Sequence, residues 1–372
     1  MLFMSLFLQP VAQVNAQPNA GDYIVAEYRA NVLSRVTPGS LGSVIHTFTG
    51  GTGPFGVAID SLGNFIVTEF NASVLSKVTP GGVRTVIYTF PAVTGPAGLA
   101  IDSGGNYIVA EQNVNVLSKI TPGGARTVIY NFVTGTGPFS VAINSGGNYI
   151  VTEYGAAVVL GAGTLSKVTP GGVRTVVYTF PAMTFPAGLA IDSAGNYIVT
   201  EGNVAIPAVL SKITAAGARS VLYTFAANTF PACVAIDSGG NYIVAEVNVV
   251  NSKLTSAVLS KITPGGVRTV VYTFATPSEF YGVALVPTPT SVTTTTTASA
   301  TATVTGGPSI PIVVVLLPLM LAPIMLATVL AIPRKPGIYQ YGGYYYCQKH
   351  LTPLWYVPQH GRFYCAYCRR YL

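Results

Sequence analysis

Residues 53–90 read GPFGVAIDSLGNFIVTEFNASVLSKVTPGGVRTVIYTF. This stretch contains four short runs rich in Val, Ile, Thr, Tyr and Phe: GVAID, NFIVTE, VLSKVTP and RTVIYTF. Runs of this kind, bounded by Gly, Pro, Asn and Asp, predict strands. Asp60-Ser61-Leu62-Gly63-Asn64 predicts a tight hairpin with positive φ between the first two, and Pro80-Gly81-Gly82 a second turn between the last two. Simple alternation along the fourth run sets Val86, Tyr88 and Phe90 on one face and Thr85, Ile87 and Thr89 on the other.

The stretch recurs. Its marker appears as DYIVAE, NFIVTE, NYIVAE, NYIVTE, NYIVTE and NYIVAE, ending at Glu27, Glu69, Glu111, Glu153, Glu201 and Glu246. A period of about 40–45 residues with four strands in each unit predicts the blades of a β-propeller. The first unit starts at Gly21 without its GVAID strand, and Tyr281-Gly282-Val283-Ala284-Leu285 follows the sixth unit alone. The expected fold is therefore all-β: a six-bladed propeller over residues 21–287, closed by this C-terminal strand completing blade one. Such closure removes free sheet edges, which otherwise invite aggregation.

The GVAID, GNYIVTE and KVTPGG pieces over residues 21–287 resemble NHL-repeat and virginiamycin B lyase-like propellers. The resemblance implies the fold and leaves the activity open, since one fold hosts many functions. Virginiamycin B lyase-type enzymes use a histidine and a glutamate with Mg²⁺, and lactonase-type propellers a Glu, Asp and Asn cluster on a divalent ion. In this chain the repeat slots absorb nearly every charge. Six acids are the strand-end glutamates, and Asp60, Asp102, Asp192 and Asp237 share the turn slot, with Asn144 in the same place. Only Glu279 among the acids is off-pattern, along with Arg29, Lys253 and His46 among the bases. His46 stands where sister blades have Tyr, which points to packing, and no catalytic pairing assembles. The glutamates are open to two readings, a ring around a cation or structural groups. The matching Lys/Arg slot favours the second, with each carboxylate bonded to turn amides or a repeat Lys.

Charge and hydropathy divide the rest. Only 8% of residues are charged, and nearly all of the +7 net charge lies from Arg334 onward. This gives nucleic-acid binding by the propeller no support. Residues 1–16 resemble a signal peptide, with apolar MLFMSLFL before Val14-Asn15-Ala16 but no basic start. Residues 288–309 form a Thr/Ser-rich stalk, and 310–333 are apolar for long enough to cross a bilayer once, despite Pro311, Pro318 and Pro323. Arg334-Lys335 after this transmembrane helix predicts a cytoplasmic C-terminus and an extracellular propeller.

In the tail, residues 334–372, Cys347 and His350 are separated by two residues, as are Cys365 and Cys368. Two such pairs converge readily on one tetrahedral Zn²⁺. TPLWYVPQHGRFY between them predicts a β-hairpin, with His360 at its tip. The segment resembles small zinc ribbons of archaeal proteins, with His350 where those often have cysteine. Four protein ligands close the site, which makes the metal structural. Cys233 is alone in the propeller, in a slot that holds Gly56, Gly98, Ser140 and Gly188 elsewhere, and reads as a small core residue.

One further asymmetry stands out. The loop after the strand-end glutamate lengthens in blades four (Tyr154–Thr164), five (Gly202–Val209) and six (Val247–Val258), and carries Ala156, Val158, Val159, Leu160, Ile206, Val249, Val250 and Leu254. Together these features lead to a membrane-anchored cell-surface propeller that binds, adheres or senses. Its expected ligand is an extracellular protein or glycan, and the zinc ribbon has a cytoplasmic partner. The alternative is an extracellular metal-dependent lyase or lactonase.

Overall fold

The computed structural model describes residues 18–154, 162–182, 184–203, 207–250, 253–275 and 279–287, with strands at 338–341, 344–347, 355–357, 362–365 and 370–371. The signal-like segment, the stalk, the 310–333 span, His350 and Cys368 lie outside these residues. The chain forms two compact units, divided after Thr294.

The first unit contains six four-stranded antiparallel sheets. Blade two runs outward from Pro54–Ile59 through Phe65–Glu69 and Val74–Val78 to Arg84–Thr89. Blade one is Phe280–Leu285, Tyr23–Glu27, Val32–Val36 and Gly42–Thr47, so the C-terminal strand supplies its inner edge as expected. The six inner strands touch one another in sequence and close the ring. Hydrophobic clusters fill each blade-to-blade seam; one joins Ile66, Leu75 and Phe90 to Tyr107, Val109 and Ile120 of the next blade.

Both turns form as the sequence predicts. Gly63 and Gly82 have φ of +79° and +81°, a region that costs glycine little. Glycine serves a second purpose in the inner strands. A Cβ on Gly98 would lie 2.6 Å from the Phe139 carbonyl oxygen of blade four, closer than any real contact. Cys233 occupies the same slot, is buried and unpaired, and burial pushes its thiol up to about 12. Thr68 stitches neighbouring blades: its hydroxyl accepts from Gly56 N at 2.7 Å and donates to the Ala97 carbonyl at 2.6 Å.

Strict alternation fails in the outer strands. Ser76 pairs with Val86 but Leu75 with Tyr88, which leaves Ile87 as a bulge. A bulge inserts one residue and resets the faces. Ile87 and Tyr88 therefore pack on the same cluster as Phe90, while Val86 turns to solvent.

In the second unit, Ile338–Tyr341 pairs with Tyr344–Cys347. Trp355–Val357, Arg362–Cys365 and Arg370–Tyr371 form a three-stranded sheet, whose first pair is the hairpin expected between the ligand pairs. Among the described residues no helix is long and apolar enough to cross a membrane.

Candidate binding face

In blade two, the strand-end glutamate, the loop after it and the link to the next blade lie at one end of the sheet, and both glycine turns lie at the other. This loop face carries the features that break six-fold repetition.

The glutamates themselves are structural, although their partner differs from the sequence expectation. They take the outer-strand arginine instead of the repeat lysine. Arg84 Nε lies 2.6 Å from Glu69 Oε1, Arg126 Nε 2.7 Å from Glu111 Oε1, and Arg268 Nη2 2.8 Å from Glu246 Oε2. Blades four and five repeat the pair through Arg174–Glu153 and Arg219–Glu201. Register explains the reach. Ser76 stands opposite both Val67 and Val86, on the face shared by Glu69 and Arg84. A side chain this small leaves room for the guanidinium to cross the sheet diagonally. Two of the repeat lysines take turn aspartates: Lys119–Asp102 at 3.1 Å and Lys261–Asp237 at 3.0 Å. Among the described residues no three His, Cys, Asp or Glu side chains gather as metal ligands.

Blade one departs from this pattern. Gly42 occupies the arginine slot opposite Val36, and a Cβ there would collide with the Tyr272 ring of blade six. Glu27 is 5% exposed and accepts a hydrogen bond from the Ser34 hydroxyl. Burial raises its carboxyl above the ordinary range. His46 packs edge-on to Phe48 and places Nδ1 2.9 Å from the Gly82 carbonyl of blade two, so Nδ1 carries the proton. It packs as its place in the repeat suggested, and in addition ties blade one to blade two.

Aromatic rings fill the axis at the loop face. Phe55 stacks on Tyr281 at 4.2 Å between centroids and meets Phe139 at 5.2 Å. Tyr28 packs edge-on to Phe55, Phe70 and Tyr281. Tyr154 extends the cluster from Phe139 to Phe185. Phe55 and Phe139 are buried, while Tyr28, Phe70, Tyr154, Phe185 and Tyr281 are only partly covered. Sequence reasoning passed over these residues. Their signal was the inner-strand slot that reads Phe55, Ala97, Phe139, Ala187, Ala232 and Tyr281, where large and small side chains share a crowded axis.

Beside this cluster, at the seam between blades six and one, lies a pocket of about 220 Å³. Phe230, Ala232, Val247, Val249, Leu254 and Phe280 form its walls, with Glu279 and Tyr281 as the polar contribution. Part of the wall is the lengthened connection of blade six. It is a hairpin, not a loop: the strands Tyr242–Val250 and Lys253–Ile262 stay paired out to Val250 opposite Lys253. Val249 and Leu254 consequently turn inward, and Val250 remains exposed. Residues 155–161 and 204–206 of the other two long connections lie outside the described residues.

Two of the off-pattern charges meet here. Arg29 Nη2 is 2.8 Å from Glu279 Oε1, and the Tyr281 hydroxyl donates to Glu279 Oε2 at 3.3 Å. Burial, followed by the Glu279 charge, holds Tyr281 well above the usual phenol range. A depression of about 320 Å³ on the turn face includes Asp102, Lys119, Asn144 and Tyr149. It consists of repeat residues, and the Tyr–Asp proximity recurs at Tyr107 with Asp60 and Tyr242 with Asp192. It therefore belongs to the architecture of the repeat.

The chain matches no protein-family profile and no curated protein sequence. Its fold is shared with solved structures. Virginiamycin B lyase from Staphylococcus aureus is 18% identical with a TM-score of 0.52, over 68% of this chain and 84% of that one. A propeller in a nidogen–laminin complex is 15% identical with a TM-score of 0.55, over 70% and 97%. A gluconolactonase from Xanthomonas campestris is 12% identical with a TM-score of 0.51, over 72% and 91%. At these identities the likeness is one of fold.

Proposed function

We propose that the propeller is a binding module displayed at the cell surface. The aromatic filling of the axis carries this reading. In a catalytic propeller, polar groups must meet substrate and hold it for reaction. Here the axis at the loop face is occupied by Phe55, Phe139 and Tyr281, and the repeat carboxylates of blades two to six are engaged by arginines. Partly covered aromatic rings beside an apolar pocket are the chemistry of recognition. The nidogen–laminin neighbour is a propeller found in a protein complex, which supports the reading by analogy of fold.

The second unit is proposed as its cytoplasmic counterpart. Residues 310–333 would span the membrane once, with Arg334 and Lys335 inside. Cys347, His350, Cys365 and Cys368 would hold a structural Zn²⁺. Cys347 and Cys365 each end a strand, with the second residue of the pair three positions on, a spacing suited to two ligand-bearing turns.

The lyase and gluconolactonase neighbours favour an enzymatic alternative. A screen of the full-length protein separates the two readings: protein and glycan binding on one side, lyase and lactonase turnover with added divalent metal on the other. Turnover that requires metal and survives trimming of the long connections would overturn the binding-module reading.

A further inference from the structure

We propose that the seam pocket takes one uncharged side chain, of Leu to Phe size, presented by a protein partner. This rests on the binding-module reading and narrows it from protein or glycan to protein.

Size is the first argument. The pocket holds about 220 Å³, whereas sites that enclose a whole small molecule run from roughly 300 to 1,000 Å³. It is large enough for one bulky side chain and too small for a complete ligand, which is the geometry of an anchor.

Polarity is the second. A sugar carries hydroxyls around its ring, and each must find a partner when buried. The walls provide only two polar side chains, and both are already engaged: Glu279 by Arg29, and the Tyr281 hydroxyl by Glu279. The Arg29 guanidinium also balances the carboxylate, so the pocket has no charge to offer an ionic group. What remains exposed to an occupant is mainly aliphatic and aromatic carbon from Phe230, Val249 and Leu254, over a floor of buried Val247 and Phe280.

Rigidity is the third. The hairpin wall is held through Asn248, which accepts from the Thr229 hydroxyl at 2.8 Å and bonds the Ser256 hydroxyl at 2.7 Å. Val249 N donates to the Asn228 carbonyl at 2.9 Å. A wall held in place in advance lowers the ordering cost of binding.

Saturation-transfer NMR on the full-length chain tests the proposal with three probes: N-acetyl-leucinamide, N-acetyl-phenylalaninamide and methyl α-glucoside. The two amides are expected to bind and the glycoside to give no signal. Ala232→Phe, which fills the pocket, and separately Leu254→Asp should each weaken amide binding about tenfold. Leu254 is on the partly exposed wall, so Leu254→Asp decides the question if Ala232→Phe does not fold. Glycoside binding that Ala232→Phe abolishes would overturn the ligand class and leave the binding module standing. Amides that fail to bind, or bind the folded variants at full strength, would overturn the pocket assignment, and the function screen would then judge the module separately.

Discussion

Arg29 Nη2 lies 2.8 Å from Glu279 Oε1, although nearly the whole propeller sequence separates the two residues. Both belong to blade one, Arg29 just after its second strand and Glu279 just before its inner strand. Tyr28 N also donates to the Glu279 carbonyl at 2.8 Å. The pair thus fastens the C-terminal strand to the blade it completes, where the two ends of the propeller sequence meet inside one sheet.

The arginine–glutamate pairs should differ widely in importance. The Arg29 side chain is 60% exposed, so Arg29→Ala should cost no more than about 1 kcal/mol. Glu111 is 1% exposed, and Arg126→Ala would leave its buried charge with the Ser118 hydroxyl but no counter-charge, at about 3 kcal/mol. Urea denaturation of the two variants measures the contrast. Equal losses would refute it.

Glu27 should make stability depend on pH. Its folded-state carboxyl lies above the ordinary 4.5 because of burial. The folded protein therefore binds the proton more tightly than the unfolded chain does. The resulting contribution is full below the unfolded value and is lost as pH rises through the folded one. Glu27→Gln should melt higher than the parent at pH 7, and the advantage should shrink toward pH 4. An advantage that grows on acidification would contradict this.

Trimming the connections of blades four, five and six to the five-residue length of the first three should preserve the fold and reduce partner binding. Circular dichroism checks the first outcome and the binding screen the second. Undiminished binding by a folded, trimmed protein would move recognition to the aromatic mouth.

A peptide of residues 334–372 should bind one Zn²⁺ at neutral pH, and Cys365→Ser should abolish tight binding. Metal analysis with chelator competition reads both. A peptide that stays metal-free, or a variant that binds equally well, would remove the zinc site.

Protease added to intact cells should remove the propeller and spare a C-terminal epitope. Loss of the epitope with survival of the propeller would invert the orientation.

What was legible in the sequence followed from local rules. Gly63 and Gly82 marked their turns because positive φ is a property of single residues, and the lone Tyr281–Leu285 run identified the closing strand because blade one lacked one. The glutamate partners were not legible. Lys77 is nearer than Arg84 to Glu69 in sequence, but the open route across the sheet runs over Ser76. The bulge at Ile87 was hidden for a related reason, since an alternating run carries no mark of an extra residue. The aromatic mouth required knowing that six inner strands converge. Phe55, Phe139 and Tyr281 are far apart in the chain and meet only at the axis.

The closure of blade one also determines how the propeller bears load. Its first and last strands leave side by side at the turn face, where Gly21 N donates to the Val286 carbonyl and Val286 N to the Asp22 carbonyl, both at 2.9 Å. A pull on Pro287 along the strand must slide Phe280–Leu285 past Tyr23–Glu27, shearing every rung between them at once. At the far end the Arg29–Glu279 clasp acts as a stop against that slip. A sideways pull would instead peel the rungs one by one, beginning at Val286. A tether at this point is strong along the axis of the blade and weak across it.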